Sequence, residues 1–331
     1  VTLVIQRLAT DARPVPPADL LLVAHGSRRG EGCDEMSALG AAVAALAPER
    51  VVRLGYLELS DPPALEVLEG LVAAGSERVV VVPLMLYAAG HSKSDVPAVV
   101  LEARARHPRI DLHYARPLGV DHALVGLARQ RVEAAGALGL PLAVLSRGTS
   151  DPDANADAYK VSRLLAELTG TRRFATGFSG LTWPSVPEAL EELHSCGATR
   201  VATFAWFLAT GVLVERMRQQ CAELGHARGI EIVDAGHLGV DEAVARLVLE
   251  RAAEAEAGQA RANCDMCVHR RAWPGLEDRV GAERGLGHSH LASEHLRGEH
   301  HAGENHAGEH HAGENHHSHP VETGECDAIE R

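Results

Sequence analysis

From Leu20 onward, short apolar runs alternate with stretches of helical period. Leu20–Ala24, Val51–Leu57, Arg78–Leu84 and Ile110–Tyr114 read as strands, and Met36–Leu46, Ala64–Ala74, Val96–Arg104 and Ala123–Ala134 read as helices. The strands are apolar at consecutive positions, as in Val79-Val80-Val81-Val82, the mark of a strand covered by helices on both faces. This alternation predicts right-handed βαβ units wound into a parallel sheet.

The pattern then begins again. Leu142–Leu145, Arg172–Phe178, Arg200–Phe207 and Glu231–Val233 read as strands, with helices over Ala154–Leu168, Pro187–His194, Leu213–Leu224 and Glu242–Glu254. A shift of 122 residues brings Gly26 onto Gly148, Gly55 onto Gly177, Pro62 onto Pro184 and Gly75 onto Gly197. Over Gly55–Leu86 against Gly177–Leu208, 11 of 32 positions are identical without a gap, which identifies an internal duplication. The predicted fold class is therefore α/β: two duplicated, doubly wound parallel-sheet lobes, 19–136 and 138–257, with a ligand cleft between their strand ends. A tail of different composition follows over 258–331.

Composition narrows the function. The 331 residues carry a net charge of −13 and only 3% aromatics, which argues against a general nucleic-acid binder or a base-stacking platform. No apolar run is long enough to span a bilayer, and Val1–Pro17 lacks the pattern of a signal peptide. Six Cys in a chain of this length fit a reducing cytoplasm better than a disulfide scaffold. Cys33, Cys196 and Cys221 read as packed helical thiols. The expected state is a monomer or homodimer, with neither nucleic-acid nor membrane partner.

The chemistry gathers at one sheet edge. The first strand delivers His25-Gly26-Ser27, the second ends at Glu58, and the third leads to Gly90-His91. Both steps, His25 to Glu58 and Glu58 to His91, are 33 residues, one βα unit each. In the second half the corresponding positions are Arg147, Gly180 and Val212, so the scaffold was duplicated and the ionisable trio was not. Two imidazoles and a carboxylate suit a borderline divalent metal, and equally suit proton transfer near neutral pH. Cations for an acidic ligand stand in the strand-end loops as Arg28, Arg29, Lys93 and Arg147, with Lys160 and Arg163 on the next helix. Ser27 and Thr149 are further hydrogen-bond donors, or simply turn and cap residues. Asp95 before Pro97 reads as a helix N-cap, and Met85 and Tyr87 as pocket floor or core. Asp151, Asp153 and Asn155 lack the Gly and Glu of an EF-hand. Nothing resembles a P-loop, so no nucleotide is expected.

Leu22-Val-Ala-His-Gly-Ser27, Pro83-Leu-Met-Leu86 with Gly90-His91 and Asp95-Val-Pro97, and Arg147-Gly-Thr-Ser-Asp-Pro-Asp-Ala-Asn155 together resemble the sirohydrochlorin cobaltochelatases. These belong to the ATP-independent tetrapyrrole chelatases, and the resemblance spans roughly residues 19–255. It implies that His25 and His91 bind the incoming metal and help remove pyrrole protons, with Glu58 assisting. It also implies sirohydrochlorin as the polycarboxylate partner and Co²⁺ as substrate metal, with Fe²⁺ (for sirohaem) or Ni²⁺ as alternatives. A different class, a metal-storage or metallochaperone protein, would make the tail the functional part.

That tail holds Cys264-Asp-Met-Cys267 and five-residue repeats beginning at His301, His306 and His311. Of the 20 His in the chain, 11 fall between Leu286 and Pro320, which points to metal gathering. With Gly in each repeat and few apolar residues, the segment is expected to be disordered. Cys264 and Cys267 suit Zn²⁺ or a redox pair, and the resemblance adds an iron–sulfur cluster. A four-thiolate cluster lacks an obvious fourth Cys nearby.

Overall fold

A computed structural model describes residues 16–261. Cys264, Cys267, His301, His306 and His311 lie outside the described residues, as does the 258–331 tail beyond residue 261. The first half contains β1 (Asp19–Ala24), α1 (Gly30–Leu46), β2 (Val52–Tyr56), α2 (Ala64–Ala73), β3 (Arg78–Pro83), α3 (Val96–Arg106), β4 (Asp111–Tyr114) and α4 (His122–Ala134). The second repeats it with β5 (Leu142–Ser146), α5 (Pro152–Thr169), β6 (Phe174–Phe178), α6 (Val186–Ser195), β7 (Arg200–Ala205), α7 (Val212–Arg228), β8 (Glu231–His237) and α8 (Glu242–Glu256). The strands form two four-stranded parallel sheets, ordered β2-β1-β3-β4 and β6-β5-β7-β8. The sequence pattern's duplicated, doubly wound α/β lobes are thus observed.

The unbroken apolar strands are explained by which core each residue enters. In β1, Leu20, Leu22 and Ala24 face one core while Leu21 and Val23 face another; in β3, Val80 and Val82 part from Val79 and Val81 in the same way. The outer core of the first lobe is closed by α2 and α3, and that of the second by α6 and α7. The inner faces of both sheets share one continuous core with α1, α4, α5 and α8. Both sheets belong to one compact unit.

The two last helices are exchanged. Helix α4, which ends the first repeat, packs on β7 and β8 of the second sheet, and α8 packs on β3 and β4 of the first. Polar contacts follow the same crossing. Arg131 on α4 donates to the Leu238 carbonyl and to Asp241, the N-cap of α8. Arg251 on α8 donates to the Leu118 carbonyl and, at 2.7 Å, to Asp121, the N-cap of α4. Arg251 is only 1% exposed, so its charge is held entirely by these partners and by Glu254. Arg116 hydrogen-bonds Glu254 and holds its carboxyl below the usual range, and Arg50 pairs with Glu256 at 2.8 Å.

Three local expectations change. Helix α1 starts at Gly30 rather than Met36, because its first turns carry no apolar periodicity. There Gly32 instead lies so close to the second lobe that a Cβ would stand 2.7 Å from the Thr210 carbonyl oxygen. Before α3 the chain makes a π-helical turn, His91–Asp95, which no apolar pattern announces. Of the three thiols, Cys221 is buried and pushed up to about 12, Cys33 is half-buried, and Cys196 is exposed at the end of α6 rather than packed. None of the described helices is long and apolar enough to cross a membrane.

Replacing Arg251 by Met should remove the cation while leaving Asp121 and the Leu118 carbonyl without it. The expected loss is about 3–5 kcal/mol of unfolding free energy. Urea denaturation of the variant against wild type measures it, and a loss below about 1 kcal/mol would show that this crossing does not hold the lobes.

Candidate functional site

The site begins with a turn that only glycine can make. After β1 the chain passes through Gly26 at φ +101°, and a Cβ there would sit 1.8 Å from the Glu58 carbonyl oxygen. That close approach lets the β1–β2 ladder continue past the strand ends, with Leu57 N–H donating to Ala24 and Glu58 N–H to the His25 carbonyl. Ser60 ties the two loops again through its hydroxyl, which accepts from Ser27 N–H and donates to the Ser27 carbonyl. His25 and Glu58 are therefore placed side by side by backbone bonds. Because the strand order reverses between β1 and β3, His25 stands at the switch point where open α/β sheets form their crevice, with Glu58 beside it at the end of β2.

His91 arrives from β3 on the π-helical turn. Its Nδ1 lies 2.6 Å from Asp95 Oδ2, four residues on. Asp95 does occupy the N-cap position of α3, yet its side chain caps no backbone N–H. The carboxylate instead orients the imidazole. The turn is braced by the Ser92 hydroxyl on the Ala89 carbonyl and by the Tyr114 hydroxyl donating to the Ser92 carbonyl.

The hydrogen bonds assign the tautomers. His25 Nδ1 faces the Gly26 carbonyl at 3.2 Å, and a carbonyl only accepts, so Nδ1 carries the proton. His91 Nδ1 likewise donates to the Asp95 carboxylate. Both Nε2 lone pairs are left for other work. His25 Nε2 is buried without a hydrogen-bond partner among the described residues, although Glu58 Oε1 is 3.0 Å away. An unprotonated nitrogen and a carboxylate oxygen at that distance repel unless a cation or a proton comes between them.

The rings of His25 and His91 meet edge to face with centroids 4.6 Å apart, and one donor atom from each of His25, Glu58 and His91 lies within 4.8 Å of the others. Burial, then His91, then the Arg147 guanidinium hold the His25 imidazole below its ordinary pKa of 6.5. A neutral imidazole is the form that ligates a metal or accepts a proton. Two nitrogens and one oxygen leave open positions on a divalent ion, unlike a closed four-ligand structural site. Carboxylate-oriented histidine is a recurring feature of such sites.

The other candidates divide into groups. Arg147 is exposed at the end of β5 and acts on His25 electrostatically, so the residue that replaces His25 in the duplication faces it from the other lobe. Arg28 and Arg29 are exposed on the loop after Ser27. Ser27 Oγ accepts from Arg29 N–H, and Thr149 Oγ1 accepts from Asp151 N–H within a turn that Asn155 also braces. Lys93 is buried, its Nζ 2.6 Å from Asp151 Oδ2, so its charge is spent on the other lobe's helix cap rather than offered to the cleft. Arg163 pairs with Glu167 along the exposed face of α5. Tyr87 is partly buried against the shared core, and its hydroxyl meets Ser146 Oγ at 3.2 Å, in keeping with a core residue.

Two residues beside the trio are not read as site residues from the sequence. Asp95 reads there as an N-cap, whereas its His-x-x-x-Asp spacing from His91 brings both ends to one side of a helical turn. Glu35 on α1 accepts from Thr210 N–H at 2.6 Å and lies 3.2 Å from His237 Nε2. With Lys93–Asp151 it makes a second tie between the lobes beside the cleft.

Two parallel-sheet lobes with a His/Glu trio at the strand ends define a chelatase-type fold. The chain belongs to the CbiX family, whose pattern matches residues 19–135 and again 141–255. It is 35% identical over 259 residues to the sirohydrochlorin cobaltochelatase of Priestia megaterium, covering 76% of this chain and 84% of that one. Identity to the sirohydrochlorin ferrochelatase of Bacillus subtilis is 26% over 243 residues, 72% of this chain and 92% of the relative. Among solved structures, SirB from Bacillus subtilis with Fe³⁺ superposes with a TM-score of 0.66 at 25% identity, over 75% of this chain and 100% of that one. The sirohydrochlorin chelatase SirB of the spizizenii subspecies, in complex with cobalt, gives 0.64 at 25% identity over 74% and 98%.

Two outcomes follow for Co²⁺ binding, read by competition with a chromophoric chelator. Asp95→Asn should weaken it about 10–100-fold by releasing the His91 ring; an unchanged affinity would remove Asp95 from the site. Because the His25 pKa is lowered, proton competition at His25 should weaken binding only below pH 6.5; a pH dependence above 6.5 that vanishes in His25→Ala would contradict the assigned neutral imidazole.

Proposed function

We propose that the protein inserts Co²⁺ into sirohydrochlorin without ATP, a reaction in which one M²⁺ enters the macrocycle and two pyrrole protons leave. The observation that carries this reading is the convergence of one donor atom from each of His25, Glu58 and His91 at one sheet edge, with both Nδ1 atoms engaged elsewhere and the Arg147 guanidinium acting on His25. His25 and His91 hold the incoming metal through Nε2 and serve as the proton acceptors as it departs into the ring. Glu58 balances the metal's charge and relays a proton. An open three-ligand set suits a metal that must be released.

The substrate's carboxylates are met by Arg147 and Arg28, with Ser27 and Thr149 supplying hydrogen bonds. Lys93 acts indirectly, by fixing the π-helical turn that carries His91 to the second lobe. Cobalt is favoured by the 35% identity to a cobaltochelatase. Iron is the second reading, supported by the 26% identity to a ferrochelatase that the match covers to 92% of its length. The His-rich repeats and Cys264/Cys267 act as an accessory metal store rather than as the reacting site.

The deciding experiment is an anaerobic absorbance assay with sirohydrochlorin and either Co²⁺ or Fe²⁺. Wild type should accelerate conversion of the macrocycle spectrum, His25→Ala and His91→Ala should each abolish at least 99% of that gain, and the faster ion names the metal. Deleting 259–331 should leave turnover at saturating metal intact. Absence of acceleration with both ions, or full loss of metal binding with the tail, would replace this reading with metal storage.

A further inference from the structure

Two exposed leucines sit where the backbone resists a side chain. Leu59 has φ 64° and Leu181 φ 66°, and they are the only residues other than glycine, among those described, in the left-handed region. Each is also turned to solvent, 48% and 74% exposed. Backbone strain and apolar exposure in one residue is a double cost, tolerated chiefly where the side chain has something to meet. The loops are not slack. Each folds back on its own strand, with Tyr56 N–H donating to the Pro62 carbonyl at 3.0 Å and Phe178 N–H to the Pro184 carbonyl at 2.8 Å.

The two leucines occupy equivalent positions of the duplication. The residue before them changed from Glu58 to Gly180, while the leucine itself is the same in both halves. Leu59 adjoins the His25/Glu58/His91 wall of the cleft. Leu181 adjoins the Arg147 wall, because the Gly180 carbonyl abuts Gly148 and Ser179 Oγ donates to the Arg147 carbonyl. On that second wall Trp183, 70% exposed, stands where the first lobe has Asp61.

We propose that Leu181 and Trp183, with Leu59 on the other wall, are apolar jaws that grip the flat faces of the tetrapyrrole, a binding element separate from the cations that meet its carboxylates. The inference rests on the proposed substrate. A macrocycle offers what the rim presents in complement: a broad apolar face for Leu and Trp and an anionic edge for Arg147 and Arg28. With Arg147, Gly180 and Val212 at the positions of His25, Glu58 and His91, the Arg147 wall is left to hold and orient the ring while the metal enters from the other.

The test uses the full-length protein with Leu181→Gly, Trp183→Ala and the double variant. Sirohydrochlorin is titrated anaerobically without metal, followed by tryptophan emission and macrocycle absorbance, and steady-state insertion is then measured. Quenching in wild type should be largely lost in Trp183→Ala. The double variant should raise the Kd and KM for the macrocycle about tenfold or more, with the loss falling on KM rather than kcat. Co²⁺ affinity without macrocycle should not move. Glycine accepts φ 66°, so Leu181→Gly should keep or raise the melting temperature while losing affinity, a combination that a structural leucine would not give. Unchanged Kd and KM would overturn the proposal, as would a lowered melting temperature in step with affinity, or a shift from dimer to monomer with macrocycle binding intact. If wild type itself binds no macrocycle, the substrate assignment fails first and is seen to do so.

Discussion

The exchange of α4 and α8 is the constraint on which the cleft depends. A ligand site shared between two duplicated lobes is only as definite as the relation between them. Here each sheet's inner face is completed by the other repeat's last helix, and the two arginine crossings, the buried Arg251 and the half-exposed Arg131, repeat one pattern of contacts. Arg251 and Arg131 each bind a loop carbonyl and an N-cap carboxylate of the opposite helix. Neither lobe has a complete core without its twin, so the wall bearing His25 and the wall bearing Arg147 behave as parts of one body. Lys93–Asp151 and Glu35–Thr210 repeat that joining at the cleft itself.

That rigidity gives the electrostatics their meaning. The His25 imidazole is kept neutral by burial, by the neighbouring imidazole of His91 and by the cation of Arg147. The arginine that discourages a proton on His25 is also the one proposed to meet an anionic ligand, and binding such a ligand would weaken its pull. Under the proposed function, neutral nitrogens with fixed Nδ1 protons would hold a metal without the multiple negative charges that would retain it. Holding and releasing would then be balanced by donor type and number rather than by movement of the lobes.

Much of this was legible in the sequence, for physical reasons. Strands apolar at every position can belong only to a sheet covered on both sides, and the 33-residue steps follow from one βα unit per strand. His25, Glu58 and His91 could therefore be brought together before any coordinates. What escaped has physical causes as well. The first turns of α1 pack through Gly32 and carry no apolar stripe. The π-helical turn breaks the period on which helix reading rests. Asp95 before Pro97 satisfies every rule for a cap, and only the position of the His91 ring shows that its carboxylate is used elsewhere. Lys93 reads as a cation free to meet an acidic ligand because burial of its partner, Asp151, is a tertiary fact. The helix exchange leaves no trace in the pattern, since the same amphipathic face serves either sheet.

Gly26 and Gly148 carry a consequence of a different kind. Both make the same left-handed turn, with a Cβ excluded by a carbonyl 1.8 Å away in the first case and 2.2 Å in the second. The second turn survives although the imidazole before it has become an arginine and the carboxylate across from it a glycine. Scaffold and chemistry are therefore separable inheritances: the turn answers to sterics, and the residue it displays is open to exchange. The chain carries its own comparison within it, an ancestral platform kept twice and furnished in two ways.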